Sequence, residues 1–349
     1  MSAPAVERAV ERYPAHLHPA YATGVRSLRV VEVVRLTDTV RHVVLEAPDG
    51  GVLASYEPGA HLVVTTFPEV LPTEADQTEK RNAYSLTGDG VNPRRYAVSV
   101  LRRGDGGGSD WVHDALAVGD LVEVEGPRSS FAPRHDQRHA LLVAGGIGVT
   151  PVLSHARAVV RWGGTCEIVY SYRPGHGAHL EDLRALAARP GVTLHEATTV
   201  EHTARVLAER FADQPLGTHA YACGPVPMLD AYVDAAAAAG WPEGRVHLER
   251  FTAPELDAGV PFTATVASTG QRLAVPPGTS LLTALLDAGH EVANLCRQGV
   301  CGECLVPVRS GALEHRDLVL SESEKSAGDR MLSCVSRGGH AGAEIEVDL

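Results

Sequence analysis

From residue 25 to 136 the apolar positions come in short, β-branched runs: SLRVVEVVRL, RHVVLEA, HLVVTTF, RYAVSVLR and LVEVEGP, separated by Gly, Pro and Asp. Runs of that length between turn residues predict the strands of a small antiparallel barrel or sandwich. PEVLPTEADQTEKRN (68–82) reads as a loop within it. From 137 to 254 the period changes. HALLVA, CEIVYSY, VTLHEA, HAYAC and RVHLERF read as strands. They alternate with PVLSHARAVVRWG, HLEDLRALAARP, HTARVLAERFA and VPMLDAYVDAAAAAG, whose apolar residues recur at helical spacing. That alternation predicts a doubly wound parallel sheet, an α/β layer structure. The stretch TAPELDAGVP follows, and residues 255–261 read as a linker. Over 262–349, FTATVASTGQRLAVPPGTSLLTALLDAG predicts two strands around a glycine turn and then a helix. Residues 1–24, with prolines 4, 14 and 19 and no sustained period, read as an N-terminal arm.

A length of 349 residues suits two or three domains, and 44% hydrophobic with 21% charged residues suits globular cores. No run of about 18 apolar residues predicts a membrane span. The start, MSAPAVERAVERYPAHLHPAY, lacks the apolar centre of a secretory signal and carries acidic residues. A cytoplasmic location is expected. The net charge of −12 argues against nucleic acid as a partner, because phosphate binding needs clustered Lys and Arg.

Chemistry concentrates at the C-terminal end. Cys296, Cys301 and Cys304 fall within nine positions, and Cys334 follows after 29 residues. The C-x4-C-x2-C…C spacing is that of plant-type [2Fe–2S] ligands. Gly299 and Gly302 would let the backbone approach the sulfur atoms. A structural zinc is the alternative, but its sites commonly pair two C-x2-C units or mix Cys with His.

Two strand ends read as a dinucleotide site. HALLVAGGIGVTP (139–151) ends in glycines, a Thr and a Pro at a helix start, suited to close approach and an anion at a helix N-terminus. YACGPVPML (221–229) repeats that build at Cys223 and Gly224, although Cys223 reads equally well as a core cysteine. RNAYSL (81–86) offers a cation, a ring and a hydroxyl at Arg81, Tyr84 and Ser85, a set suited to a flavin. GDGGGSD (104–110) is a second glycine loop, a phosphate cradle or else a hairpin tip.

Taken in order, RNAYSL, GGGS, AGGIGVTP, CGP, LERF and the cysteine pattern resemble the phthalate dioxygenase reductase family, with vanillate demethylase reductases among its relatives. The resemblance covers roughly residues 25–349. It implies an FMN-binding antiparallel barrel (25–136), a nicotinamide-binding α/β domain (137–254) and a C-terminal β-grasp ferredoxin domain (262–349). By position it implies that Arg81, Tyr84 and Ser85 bind FMN, with Ser99, Val100 and Leu101 lining it and Gly107, Gly108 and Ser109 cradling its phosphate. Thr150 and Pro151 would face flavin and nicotinamide. Cys223 and Gly224 would lie near the nicotinamide ring, and Phe251 would close over the flavin. Some relatives have Lys where this chain has Leu101; Arg102 or Arg103 compensates, or the phosphate leans on Arg81 and the glycine loop.

The resemblance further implies electron flow from NADH through FMN and the cluster to a separate oxygenase component, Rieske or haem-thiolate, in aromatic hydroxylation or O-demethylation. Arg297, Gln298 and Glu303 would form the docking face. Arg173, past the strand CEIVYSY, is a candidate partner for a coenzyme phosphate, which leaves NADPH open. The 17 histidines are expected mostly at the surface, and none is assigned a catalytic role. One chain holds the whole path, so a monomer suffices. A stand-alone flavin reductase or a zinc-stapled binding protein are the competing readings.

Overall fold

The computed structural model describes residues 25–66, 80–129, 131–251 and 256–349. The expected N-terminal arm, most of the loop at 68–82 and the first residue of the expected linker lie outside the described residues. The chain divides into two compact units after Glu249.

Period-two alternation builds the first sheet. In β1 (Arg26–Thr37), Leu28 and Val30 are buried while Ser27 and Arg29 are exposed. It joins β2 (Val40–Glu46), β3 (Ala60–Thr66), β4 (Lys80–Ser85), β5 (Arg95–Leu101) and β6 (Leu121–Ser129) in an antiparallel sheet of order β4-β3-β6-β1-β2-β5. An isolated bridge between Leu86 and Val98 brings the two ends of that order together. Leu28, Val43, Leu62, Val98, Val100 and Val124 fill the interior. Lys80, Arg81 and Asn82, expected in the loop, belong to β4. The glycine stretch at 104–110 is only half a loop. Its end opens α1 (Gly108–Asp114), and Val112 with Leu116, one turn apart, sink into the barrel core.

Strand–helix alternation then gives a parallel sheet. It contains β7 (His139–Gly145), β8 (Cys166–Ser171), β9 (Val192–Ala197), β10 (Thr218–Cys223) and β11 (Val246–Glu249), in the order β11-β10-β7-β8-β9. Helices α2 (Val149–Arg161), α3 (Leu180–Ala187), α4 (Val200–Ala212) and α5 (Val226–Ala238) connect them. β7 shows why both faces are covered: Leu142 and Ala144 enter one core, Leu141 and Val143 the other. The strand order reverses beside β7, the position where doubly wound sheets bind ligands. The expectation of surface histidines fails at His155, His179 and His219, which are buried. His155 Nε2 is 2.8 Å from the Phe131 carbonyl and His219 Nδ1 is 3.0 Å from His247 Nε2, so each ring has one hydrogen-bond partner in the interior, while His219 Nε2 has no hydrogen bond among the described residues.

The second unit is a small mixed sheet under one helix. β12 (Phe262–Val266) and β13 (Arg272–Val275) form the expected hairpin, followed by α6 (Leu281–Asp287). β14 (Leu305–Ser310), β16 (Arg330–Leu332) and β18 (Ala343–Val347) complete the order β13-β12-β18-β14-β16, with β12 and β18 parallel. Short strands β15 (Leu313–Glu314) and β17 (Arg337–Gly338) pair separately, and α7 (Glu322–Ala327) carries a capping box from Ser321 and Glu324. Leu281 and Leu285, one turn apart on α6, pack with Phe262, Val306 and Ile345 into the core.

Candidate cofactor sites

Three left-handed residues, Arg297 (φ 53°), Gly299 (φ 73°) and Gly302 (φ 82°), curl the loop between α6 and β14. A Cβ on Gly299 would lie 2.6 Å from Val335 Cγ2, so glycine is required there. The curl turns backbone N–H groups inward. Gln298 N lies 3.3 Å from Cys296 Sγ. Val300 and Cys301 also donate to Cys296, Glu303 donates to Cys301, and Gly299 donates to Cys334. The four thiols meet as two pairs, Cys296 with Cys301 and Cys304 with Cys334. Donation from Cys301, then from the amides, draws the Cys296 thiol down to about 5, and Cys334 holds Cys304 below the usual thiol range. Their partners Cys301 and Cys334, which donate those bonds, are pushed well above the usual thiol range, so each pair holds one ready thiolate beside one protonated thiol. Leu282, Leu320 and Leu332 pack around Cys304 and Cys334. Among the described residues no group of three or more His, Cys, Asp or Glu converges on a single ion. Two thiol pairs match a centre with two ligands on each of two irons.

In the parallel sheet, β7 and β10 end side by side. A Cβ on Gly148 would lie 2.1 Å from the Cys223 carbonyl oxygen, a backbone atom that cannot move aside cheaply. The glycine turn therefore sits hard against the Cys223–Gly224 turn. Thr150 and Pro151 are buried in the first turn of α2, where Thr150 Oγ1 donates to the Ile147 carbonyl at 3.1 Å. Cys223 is fully buried and its thiol is pushed up by burial, then by Glu249. Glu249, paired in register with Cys223, was not singled out from the sequence. Its Oε2 is buried without a partner, and burial raises the carboxyl to about 8. The sequence carried no clear signal for it: an acid ending the short strand Val-His-Leu-Glu is unremarkable by itself. Arg173 is exposed just beyond β8, while Tyr172 and Arg184 both engage Glu196.

On the barrel, strand alternation separates the β4 candidates. Asn82 and Tyr84 share one face; Arg81 and Ser85 share the other. Arg81 pairs with Glu125, which Arg128 also engages. On the Tyr84 side, Gly108 comes so near β4 that a Cβ would lie 2.2 Å from Asn82 Oδ1 and 2.3 Å from Thr66 Oγ1. Ser109 Oγ accepts from Arg103 N at 3.1 Å, and Asp110 accepts from Gly104 N and Gly106 N at 2.9 and 2.7 Å. Gly107 is the N-cap of α1. On β5, Val100 enters the core, Leu101 is exposed, and the Ser99 hydroxyl contacts His42 and His179. Arg102 is committed to Asp114 through two bonds. The Arg103 charge acts on Tyr84, whose hydroxyl is raised chiefly by burial.

Known proteins share these features. Residues 125–246 match the family model for the dimethylamine monooxygenase subunit DmmA-like, N-terminal domain, and residues 264–337 match the 2Fe-2S iron-sulfur cluster binding domain. The chain is 38% identical over 324 residues to the heme-dependent oxidative N-demethylase beta subunit of Ectopseudomonas mendocina (strain ymp), covering 92% of this chain and 98% of that one. It is 33% identical over 331 residues to the phthalate dioxygenase reductase of Burkholderia cepacia, covering 93% and 98%. A solved phthalate dioxygenase reductase, described as a modular structure for electron transfer from pyridine nucleotides to [2Fe–2S], superposes with a TM-score of 0.68 at 32% identity, over 93% and 98% of the two chains. The chain belongs to the phthalate dioxygenase reductase family. An intact type IV self-sufficient cytochrome P450 monooxygenase matches 99% of this chain with 44% of its own, at a TM-score of 0.77 and 30% identity.

The residues of this family member fit the flavin and the cluster. Tyr84 Oη and Asn82 Oδ1 are buried without hydrogen-bond partners among the described residues, beside the Gly108 turn. Unpartnered polar atoms of this kind cost about 1–3 kcal/mol each, and a ligand's polar groups would satisfy them. The four thiols with inward N–H groups suit sulfide-bridged iron. Phe251, the second residue of the second unit, is 36% exposed. Among the described residues no helix is long and apolar enough to cross a membrane.

Proposed function

We propose that this chain accepts a hydride from NADH at FMN held on the barrel and delivers electrons singly through a [2Fe–2S] centre to a separate oxygenase component. Two pairs of thiols ringed by inward-pointing N–H groups carry this reading. When bound, the flavin converts a two-electron donation into one-electron steps that the cluster can accept. The protein's own residues orient and enclose. Tyr84, Asn82 and the Gly107–Gly108–Ser109 turn would hold the flavin from one side of β4, with Ser85 and the Ser99–Leu101 strand beside it. Arg81 would reach the flavin phosphate only by leaving Glu125. Thr150, Pro151, Cys223, Gly224 and the unpartnered Oε2 of Glu249 would line the nicotinamide crevice. Cys296, Cys301, Cys304 and Cys334 would ligate the irons. The domain limits proposed are 25–136, 137–254 and 262–349.

For the acceptor we propose an oxygenase of the Rieske or haem-thiolate kind, docking near Arg297, Gln298 and Glu303. The haem side is the first to test, because a relative of 38% identity is named a heme-dependent N-demethylase subunit and the chain aligns with part of a self-sufficient cytochrome P450. A cytoplasmic monomer is proposed.

The test is the visible spectrum of the purified protein, with and without NADH under anaerobic conditions. Flavin and iron–sulfur bands that both bleach are expected. In Cys304→Ser the iron–sulfur bands should vanish while NADH still bleaches the flavin. A colourless wild-type protein that binds zinc would sink the proposal.

A further inference from the structure

Helix α2, which opens at the glycine turn of the crevice, also clasps the segment that follows β4. Ser154 Oγ donates to the Gly88 carbonyl at 2.6 Å, and Arg157 Nη1 donates to the Thr87 carbonyl at 2.7 Å. The other arm of that guanidinium, Nη2, donates to Asp182 Oδ1 at 2.7 Å. Asp182 Oδ2 lies 2.7 Å from His179 Nδ1, His179 Nε2 lies 2.7 Å from Ser99 Oγ, and Ser99 Oγ lies 2.8 Å from His42 Nδ1.

The directions of these bonds follow from the groups. A carboxylate only accepts, so His179 carries a proton on Nδ1, and with the ring neutral it accepts at Nε2. Ser99 then donates to His179 and accepts from His42. His179 is buried at φ 57°, a left-handed conformation that non-glycine residues avoid. The order Asp–His–Ser is that of hydrolytic triads. Here, however, the serine is 4% exposed and its hydroxyl is already shared between two imidazoles, which leaves no approach for a substrate.

We propose that Arg157, Asp182 and His179 form a positioning relay. It ties the segment after β4, through Thr87, and β5, through Ser99, to the helix that starts at the nicotinamide crevice, and so sets the gap that the hydride crosses. The proposal rests on the reductase reading above. Hydride transfer depends steeply on donor–acceptor placement, so a small loosening of this tie is felt in the rate before it is felt in binding.

The experiment compares holoprotein with Asp182→Asn and Arg157→Lys. Lysine keeps the charge, but one nitrogen cannot span the Thr87 carbonyl and Asp182 together. Rapid mixing with NADH should show flavin bleaching slowed about tenfold or more in both variants, with NADH affinity and FMN content unchanged. In dithionite-reduced holoprotein titrated with NAD+, the long-wavelength charge-transfer absorbance should weaken in both. Wild-type rate and wild-type absorbance in both variants overturn the relay. So does a parallel loss of FMN, NADH affinity and rate in both, the result of a merely structural role. A wild-type flavin that NADH does not bleach overturns the reductase reading instead.

Discussion

Glu249 shows how much a single residue's chemistry depends on its surroundings. Nothing in the string HLERF marks its carboxyl as unusual, yet its register with Cys223 places it on the sheet's C-terminal edge, half-buried, with Oε2 enclosed and unpartnered. Folding raises it from an ordinary 4.5 to about 8. The folded state therefore keeps a proton that the unfolded chain gives up between those values, and stability falls as pH rises across that window. Glu249→Gln should melt with the wild type at pH 4 and above it at pH 8. Equal differences at both pH values would show that the carboxyl is not desolvated. The cysteines are the opposite case. Their spacing already pointed to a binuclear centre, because a loop must be this long, and this rich in glycine, to wrap sulfur with its own N–H groups.

At the scale of elements, apolar runs made most strands and helices legible, and polar ones hid the rest. β4 reads Lys-Arg-Asn-Ala-Tyr-Ser, without the apolar alternation that marks its neighbours, so its first three residues passed for loop. It is a strand because β3 pairs with it from Thr66–Lys80 to His61–Ser85. That pairing has a consequence for binding. Arg81 and Asn82 are adjacent in sequence but lie on opposite faces, and only Asn82 meets the Gly108 turn. Asn82→Ala should weaken FMN binding about tenfold by removing a hydrogen-bonding group, and Arg81→Ala by less. Equilibrium dialysis of FMN against both variants decides this; a greater loss in Arg81→Ala would place the phosphate on the Glu125 side.

In the whole molecule, the barrel and the parallel sheet share one compact unit and the small mixed sheet forms another. Their cores are built from separate residue sets, with Leu62 and Leu142 in the first and Leu281 and Ile345 in the second. Independent cores predict two unfolding steps. Urea titration should lose iron–sulfur absorbance and release flavin at different midpoints. A single coincident transition would show that the two units stabilise each other.

The sequence by itself determined the succession of an antiparallel sheet, a parallel sheet and a cysteine-bearing module. It also determined the ligand spacing and both glycine turns, because each depends on residues near one another along the chain. Only the tertiary structure decided what depends on distant segments meeting. It chose the face of β4 that Tyr84 and Asn82 occupy, and it left Glu249 without a partner beside Cys223. It also buried His179, although most histidines were expected at the surface, in a line of hydrogen bonds from Arg157 on α2 to Ser99 on β5. Hydrophobic period records which side of an element is buried, but not which polar groups meet there.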